Sequence, residues 1–327
     1  MRRPASLIAA ALVAGALAVQ AVAASAATTS RLAGADRYAT AVAISKKHFA
    51  SPVDRVVVAS GQDFPDALGA GPFAAHFGVP LLLVPKDGTL PSSVATEISR
   101  LKPSSIEVVG GTGAVSDDML DQLDDRVPSP GRAWRWSGGD RYETAARLAY
   151  GAEPGSTVFV ASGTGFADAL GGGAAAAHLN GALVLTKPTQ LPPSVTTVLQ
   201  SVKPAQVVVL GGTGAVSSGV ERQILEAVPT ASVSRSAGAD RYATAAAVSR
   251  ATFPSATTVY LAAGSSFPDA LAGAPAAGSV GAPLLLTAKS CAPAATRAEV
   301  TRLGATRIVA LGGTGVVSDA ALALKPC

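Results

Sequence analysis

The amino-acid sequence predicts an α/β protein of three tandem units, each about a hundred residues long and built on a short parallel sheet. Two observations predict this class. One set of motifs returns three times in a fixed order. Within each return, short unbroken apolar runs alternate with longer stretches whose alanines and leucines fall at helical spacing.

The chain has 327 residues, 48% of them hydrophobic and 15% charged, which is ample apolar mass for more than one core and the wrong balance for disorder. The formal charge is +4, but two of the positive charges are Arg2 and Arg3, in a leading segment without acid or lysine, so the remainder carries +2. That excess is too small to point to nucleic acid. Arg2 and Arg3, the apolar run from Leu7 to Val19 and the small-x-small Ala24-Ser25-Ala26 together read as an export signal over residues 1–27. No second long apolar run follows, so stable membrane insertion is not expected once that signal is cleaved.

The three units are expected at residues 28–130, 131–230 and 231–327. The opening motif Gly34-Ala35-Asp36-Arg37-Tyr38-Ala39-Thr40 returns as Gly138 to Thr144 and as Gly238 to Thr244. About thirty residues on comes Ser60-Gly61-Gln62-Asp63-Phe64-Pro65-Asp66-Ala67-Leu68, matched by Ser162 to Leu170 and Ala263 to Leu271. Fourteen residues beyond each aspartate of that turn an apolar run begins at Pro80, Ala182 and Pro283. Each unit then reaches Gly-Gly-Thr-Gly, at Gly110, Gly211 and Gly312.

In the first copy the strands fall at Arg55 to Ala59, Pro80 to Val84 and Ile106 to Val109, apolar without alternation, as in a parallel sheet covered on both faces. Between them, Asp66 to Phe77 and Pro91 to Leu101 are long enough to be crossover helices. The Asp36-Arg37-Tyr38 segment opens a further helix through Ala41, Val42 and Ile44, making each unit doubly wound and Rossmann-like. Proline-bearing joins at Val127 to Gly131 and Val228 to Thr230 are short, so the units should pack on one another.

Asp36, Asp140 and Asp240 stand where a carboxylate can cap a helix. The arginines that follow, Arg37, Arg141 and Arg241, can either pair within the protein or offer a planar fork to a phosphate or carboxylate of a ligand. Asp66, Asp168 and Asp269 lie at the C-terminal edge of the sheet, where open α/β proteins bind ligands; they can cap a helix, meet sugar hydroxyls or hold a bridging cation. Phe64, Phe166 and Phe267 read as core. Lys86, Lys187 and Lys289, just past the third strand, can present positive charge to an anionic chain. Cys291 and Cys327 are the only cysteines, and a disulfide closing the C-terminal tail is expected.

The glycine turns do not read as a dinucleotide site, because Ser116 stands where the third glycine belongs and no ribose-binding acid follows. No metal or cofactor is expected. His48, His76 and His178 are the only histidines and the third unit has none, which argues against zinc catalysis. Ser60 and Ser162 have no recurring histidine to activate them, and Ala263 replaces the serine in the third copy.

The four motifs in this order, three times over, resemble the cell wall-binding repeat 2 family, from Arg31 to the C-terminus. The resemblance implies an exported protein of a Gram-positive bacterium, secreted and held at the cell wall, with its repeats in a pseudo-threefold arrangement. It implies non-covalent, non-catalytic binding of an anionic cell-wall polysaccharide or teichoic-acid-like polymer, with surface proteins as possible further partners. In clostridial members an Ile-Leu-Leu strand segment is tied to polymer binding; here it reads Leu81-Leu82-Leu83, Leu183-Val184-Leu185 and Leu284-Leu285-Leu286. The alternative function is a peptidoglycan-remodelling hydrolase of amidase type, or its regulator.

Overall fold

A computed structural model describes residues 27–327; all but the last residue of the expected export signal lies outside them. Three runs of alternating strands and helices follow. The first comprises β1 (Thr28–Leu32), α1 (Arg37–His48), β2 (Arg55–Ser60), α2 (Pro65–His76), β3 (Leu81–Val84), α3 (Ser92–Leu101), β4 (Ser105–Val109) and α4 (Asp117–Asp124). The second comprises β5 (Arg132–Trp136), α5 (Arg141–Ala149), β6 (Thr157–Ser162), α6 (Ala167–His178), β7 (Ala182–Thr186), α7 (Pro193–Val202), β8 (Gln206–Leu210) and α8 (Ser218–Ala227). The third comprises β9 (Ser232–Ser236), α9 (Arg241–Thr252), β10 (Thr258–Ala263), α10 (Pro268–Ser279), β11 (Leu284–Thr287), α11 (Ala294–Leu303), β12 (Arg307–Leu311) and α12 (Asp319–Leu322).

The strands form three four-stranded sheets, ordered β3-β2-β4-β5, β7-β6-β8-β9 and β11-β10-β12-β1, every pairing parallel. Each sheet therefore takes its fourth strand from the next unit along the chain, and β1 closes the ring by pairing with β12. Val56 to Ala59 and Leu81 to Val84 are fully buried, as unbroken apolar strands sandwiched between helices must be.

An arginine fixes each exchanged strand. Arg135 donates to the carbonyls of Gly110 and Val115 at 2.8 Å, and Arg235 to those of Gly211 and Val216 at 2.6 and 2.8 Å. Arg31 donates to the Gly312 carbonyl at 2.7 Å. Each ties the glycine turn of one unit to the first strand of the next, with Asp117, Glu221 and Asp319 completing the ion pairs.

The second helices of the three units, α2, α6 and α10, pack together at the centre, and small residues bring them close. A Cβ on Gly71 would lie 3.0 Å from that of Ala274, and one on Gly278 would collide with Ala177. At the leading end of these helices the rings of Phe64, Phe166 and Phe267 form a triangle with centroids 5.5, 5.6 and 5.8 Å apart, marking the pseudo-threefold axis. Cys291 and Cys327 are bonded, and beside them Ala292 bridges to Pro326, which anchors the C-terminal tail.

Candidate functional site

Asp36, Asp140 and Asp240 each accept a backbone N–H three residues on, at 2.8 Å, so they cap α1, α5 and α9. Capping swings the next side chain across to the turn after the second strand. There Arg37 donates to the Gly61 carbonyl at 2.5 Å, Arg141 to Gly163 at 2.7 Å and Arg241 to Gly264 at 2.5 Å. Glycine is needed at those turns because an added Cβ on Gly61 would lie 2.8 Å from the Tyr38 ring. Each arginine thus spends one N–H on its own unit. Arg37 and Arg241 remain exposed, and Arg141 is half-buried.

Asp66, Asp168 and Asp269 do not cap: α2, α6 and α10 start without a side-chain cap, and these carboxylates sit within the first turn. They turn instead toward the glycine loops. A Cβ on Gly110 would lie 2.9 Å from Asp66 Oδ2, and one on Gly211 or Gly312 would overlap the Asp168 or Asp269 carboxylate. Those three glycines have φ of 109°, 88° and 96°, a left-handed backbone that other residues rarely adopt.

For Asp66 and Asp269 a second partner comes from the neighbouring unit. Asp66, Asp140, Arg141, Thr144 and the Gly111 and Gly113 turn line one groove of about 280 Å³, where the first unit meets the second. Asp36, Arg37, Thr40, Asp269, Gly313 and Gly315 line its equivalent, also about 280 Å³, where the third unit meets the first. At the remaining seam Arg241 reaches from the third unit to 5.9 Å from the centre of the Phe166 ring. The three seams surround the phenylalanine triangle.

Burial pushes the Asp269 carboxyl up to about 6, against a lowering pull from Arg37 across the seam. Burial raises Asp66 as well, opposed by Thr144 and Arg141 of the second unit and by the Gly111 N–H. These grooves are not cationic troughs. The first seam's groove is lined by Asp63, Asp66 and Asp140 against Arg141 alone, and the other by Asp36 and Asp269 against Arg37. Such a site offers acceptors to hydroxyls and one guanidinium fork to an acid group.

Lys86, Lys187 and Lys289 are exposed and line neither groove. They are not one structural set. Ser116 and Ser318 donate their N–H to the carbonyls of Lys86 and Lys289, whereas the equivalent Ser217 donates to Pro188, so Lys187 stands one position early. Its ammonium lies 5.9 Å from the centre of the Tyr142 ring instead. The strand-fixing Arg31, Arg135 and Arg235 escaped the motif reading, although they recur three residues before Gly34, Gly138 and Gly238.

The histidines and serines hold the framework. His48 meets the Tyr260 hydroxyl at 2.9 Å and His76 the Asn180 carboxamide at 3.1 Å, each across a seam, while His178 stacks on Phe253. Ser60 Oγ accepts the Gln62 and Asp63 N–H groups. Among the described residues no group of three or more His, Cys, Asp or Glu side chains is placed to hold a metal ion, and no helix is long and apolar enough to cross a membrane.

A family model described as cell wall binding domain 2 (CWB2) matches residues 31–120, 135–221 and 235–322. The chain is 30% identical over 291 residues to N-acetylmuramoyl-L-alanine amidase LytC of Bacillus subtilis (strain 168), covering 89% of this chain and 56% of that protein. It is 30% identical over 271 residues to the amidase enhancer of the same organism, covering 83% of this chain and 36% of that protein. Among solved structures, Cwp6 from Clostridium difficile superposes with a TM-score of 0.82 at 26% identity, covering 92% of this chain and 48% of that one. Cwp8 from Clostridium difficile gives 0.81 at 29% identity, with 89% and 50% covered. The chain therefore spans about half the length of these relatives, and about a third of the amidase enhancer.

Proposed function

The chain belongs to the cell wall binding domain 2 family, and from that premise we propose that it is an exported, non-catalytic protein that grips a secondary wall polymer at its three seams. One observation carries the reading: at two of the three seams an arginine from one unit and an aspartate from its neighbour share a glycine-lined groove, and the same two residues recur in the sequence at the third as Arg241 and Asp168. Three weak, equivalent sites suit a repeating ligand, because the second and third contacts are intramolecular and raise avidity by about 10² to 10⁴.

The excess of carboxylate in each groove defines the part of the polymer that fits. Sugar hydroxyls donate to Asp66, Asp168 and Asp269, while an acid group on the polymer takes the free N–H groups of Arg37, Arg141 or Arg241. The exposed Lys86, Lys187 and Lys289 add positive charge at the edge, weakened by salt. The polymer is thus a hydroxyl-rich, anionic glycan, and the protein works outside the cell, at the wall.

Co-sedimentation with purified Gram-positive walls tests this, before and after acid extraction of the secondary polymers and with and without a chelator. The expected result is binding that disappears on extraction and survives chelation. Loss of wall turbidity would give the chain hydrolase activity and overturn the reading, and so would undiminished binding to extracted walls.

A further inference from the structure

The first seam carries a second groove, on the face of the sheet where β4 meets β5. Across β4 and β5, Glu107 is paired with Trp134 and Val109 with Trp136, which puts Glu107 and both indoles on one face of the sheet. Arg147 of α5 and Tyr150 just beyond it complete the lining of a groove of about 690 Å³, together with Arg135 and Ser137. Trp134 is 54% exposed and Tyr150 50%. Trp136 is held in place by the Phe73 ring, 5.4 Å away, and by donating its Nε1–H to Glu107 at 2.6 Å.

The scaffold does not require these residues. At the equivalent positions of the second seam stand Val208, Ser234 and Ser236, with Ala247 and Arg250 from the helix. At the third stand Val309, Ser30 and Leu32, with Ala43 and Lys46. One unit pair in three therefore carries an acid, two indoles, a guanidinium and a phenol in a single groove, on a fold that elsewhere has no acid or aromatic ring at any of these positions. Large aromatic faces left in solvent are a cost unless something covers them.

The floor of the groove says what covers them. Glu107 is buried, 5% exposed, and its carboxylate already accepts from Trp136 and from Ser105 Oγ at 2.9 Å, with Arg55 3.6 Å away. An ionised carboxylate only accepts, and its remaining lone pairs suit hydroxyl donors better than an apolar side chain. Arg147, held by Glu143 at 2.7 Å, sets further N–H donors at the rim. A hexopyranose with equatorial substituents matches both features: its C–H faces carry partial positive charge and lie against the negative face of an indole or phenol, while its hydroxyls project from the edge. We infer that this groove is a subsite for one such sugar ring of a glycan, stacked on Trp134 and Tyr150 with its hydroxyls on Glu107 and Arg147. It shares no residue with the two seam grooves described above and does not rest on the seam reading.

Intrinsic fluorescence isolates the site, because the chain has only two tryptophans and both line this groove. The purified protein is titrated with cellotriose and with β-1,4-linked tri-N-acetylglucosamine. The expected result is a saturable change in tryptophan emission with one or both, at about 1 mM or below. Tyr150→Ala and Glu107→Gln should each weaken it about tenfold, and Trp134→Ser should abolish the residual response, with unfolding curves showing that each variant folds. Arg141→Gln, in the seam groove, should leave the titration unchanged, whatever it does to wall binding. No response to either trisaccharide up to about 10 mM overturns the inference, as does a response indifferent to Tyr150→Ala and Glu107→Gln. A Trp134-dependent dimer in analytical ultracentrifugation, without any sugar response, assigns the face to a second copy of the chain and also overturns it.

Discussion

Replacing Glu97 by alanine should be among the most damaging single changes in the first unit, and a neighbouring unit shows how to repair it. Glu97 is fully buried on α3. It accepts from Ser45 Oγ at 2.5 Å and from Arg100 at 2.6 and 2.8 Å, while Arg100 also donates to the Phe49 carbonyl at 3.0 Å. The third unit repeats the arrangement with Ser249, Glu299, Arg302 and the Phe253 carbonyl. The second unit has Ala149, Val198 and Ser201 at these positions, an apolar solution in the same fold.

Truncating one member of a buried ion pair costs about 3–5 kcal/mol, whereas replacing the whole group by packed apolar side chains costs little. Two Arg100 bonds and one Ser45 bond are lost in Glu97→Ala, a cavity opens, and Ser45 is left buried without its acceptor. In a chain of this length such a loss lowers the melting temperature by roughly 10 °C. The triple variant Ser45→Ala, Glu97→Val, Arg100→Ser should stay within about 3 °C of the parent. Circular dichroism melts of both proteins decide it. A triple variant as unstable as Glu97→Ala, or a Glu97→Ala melt that does not move, would refute the equivalence of the two solutions.

Other perturbations read different parts of the framework. Gly211→Ala forces a side chain into a left-handed backbone and against Asp168, so it should cost about 1–3 kcal/mol in urea unfolding, while Gly212→Ala, with open space around it, should cost less than about 1. Asp269 titrates at about 6 when folded against 3.8 ordinarily, so the folded chain holds this proton more tightly than the unfolded one. The site therefore favours folding most below about pH 4 and loses that advantage as pH rises through 6; Asp269→Asn should raise the unfolding free energy at pH 7 by up to roughly 3 kcal/mol, read in urea melts, and flatten the profile between. Reduction of Cys291–Cys327 should destabilise the third unit by up to roughly 4 kcal/mol, read as a lower urea midpoint.

The repeats, their parallel strands and the central crossover helices were legible in the sequence because each rests on local pattern. Val56-Val57-Val58-Ala59 is a buried strand in any register, and Asp36 caps a helix from its own position. Two elements per unit went unread: the first strand, typified by Thr28–Leu32, and the helix after the glycine turn, typified by Asp117–Asp124. The first is largely polar, exposed over Thr28 to Ser30 and only half-buried at Arg31 and Leu32, because it lies at a sheet edge, and the second is short and acidic. Membership of a sheet is a matter of long-range pairing, so nothing local to Arg132–Trp136 says that it joins the unit before it. The same reason hid the seam. Asp66 and Arg141 lie in different units, and their shared groove exists only once the second unit has packed on the first. The lysines erred in the opposite direction: similar spacing suggested one set where the backbone places Lys187 out of register.

The seams are tested most directly by apparent affinity for purified walls across a graded series, with Arg→Gln at position 37, then at 37 and 141, then at 37, 141 and 241. Each arginine gives up one bond to a glycine carbonyl, so the melting temperature should fall only by a few degrees in all. Wall affinity should fall by about tenfold or more at each step, since losing one of three linked contacts removes its share of the avidity. Affinity that stays level through the triple variant would place the polymer somewhere other than the seams.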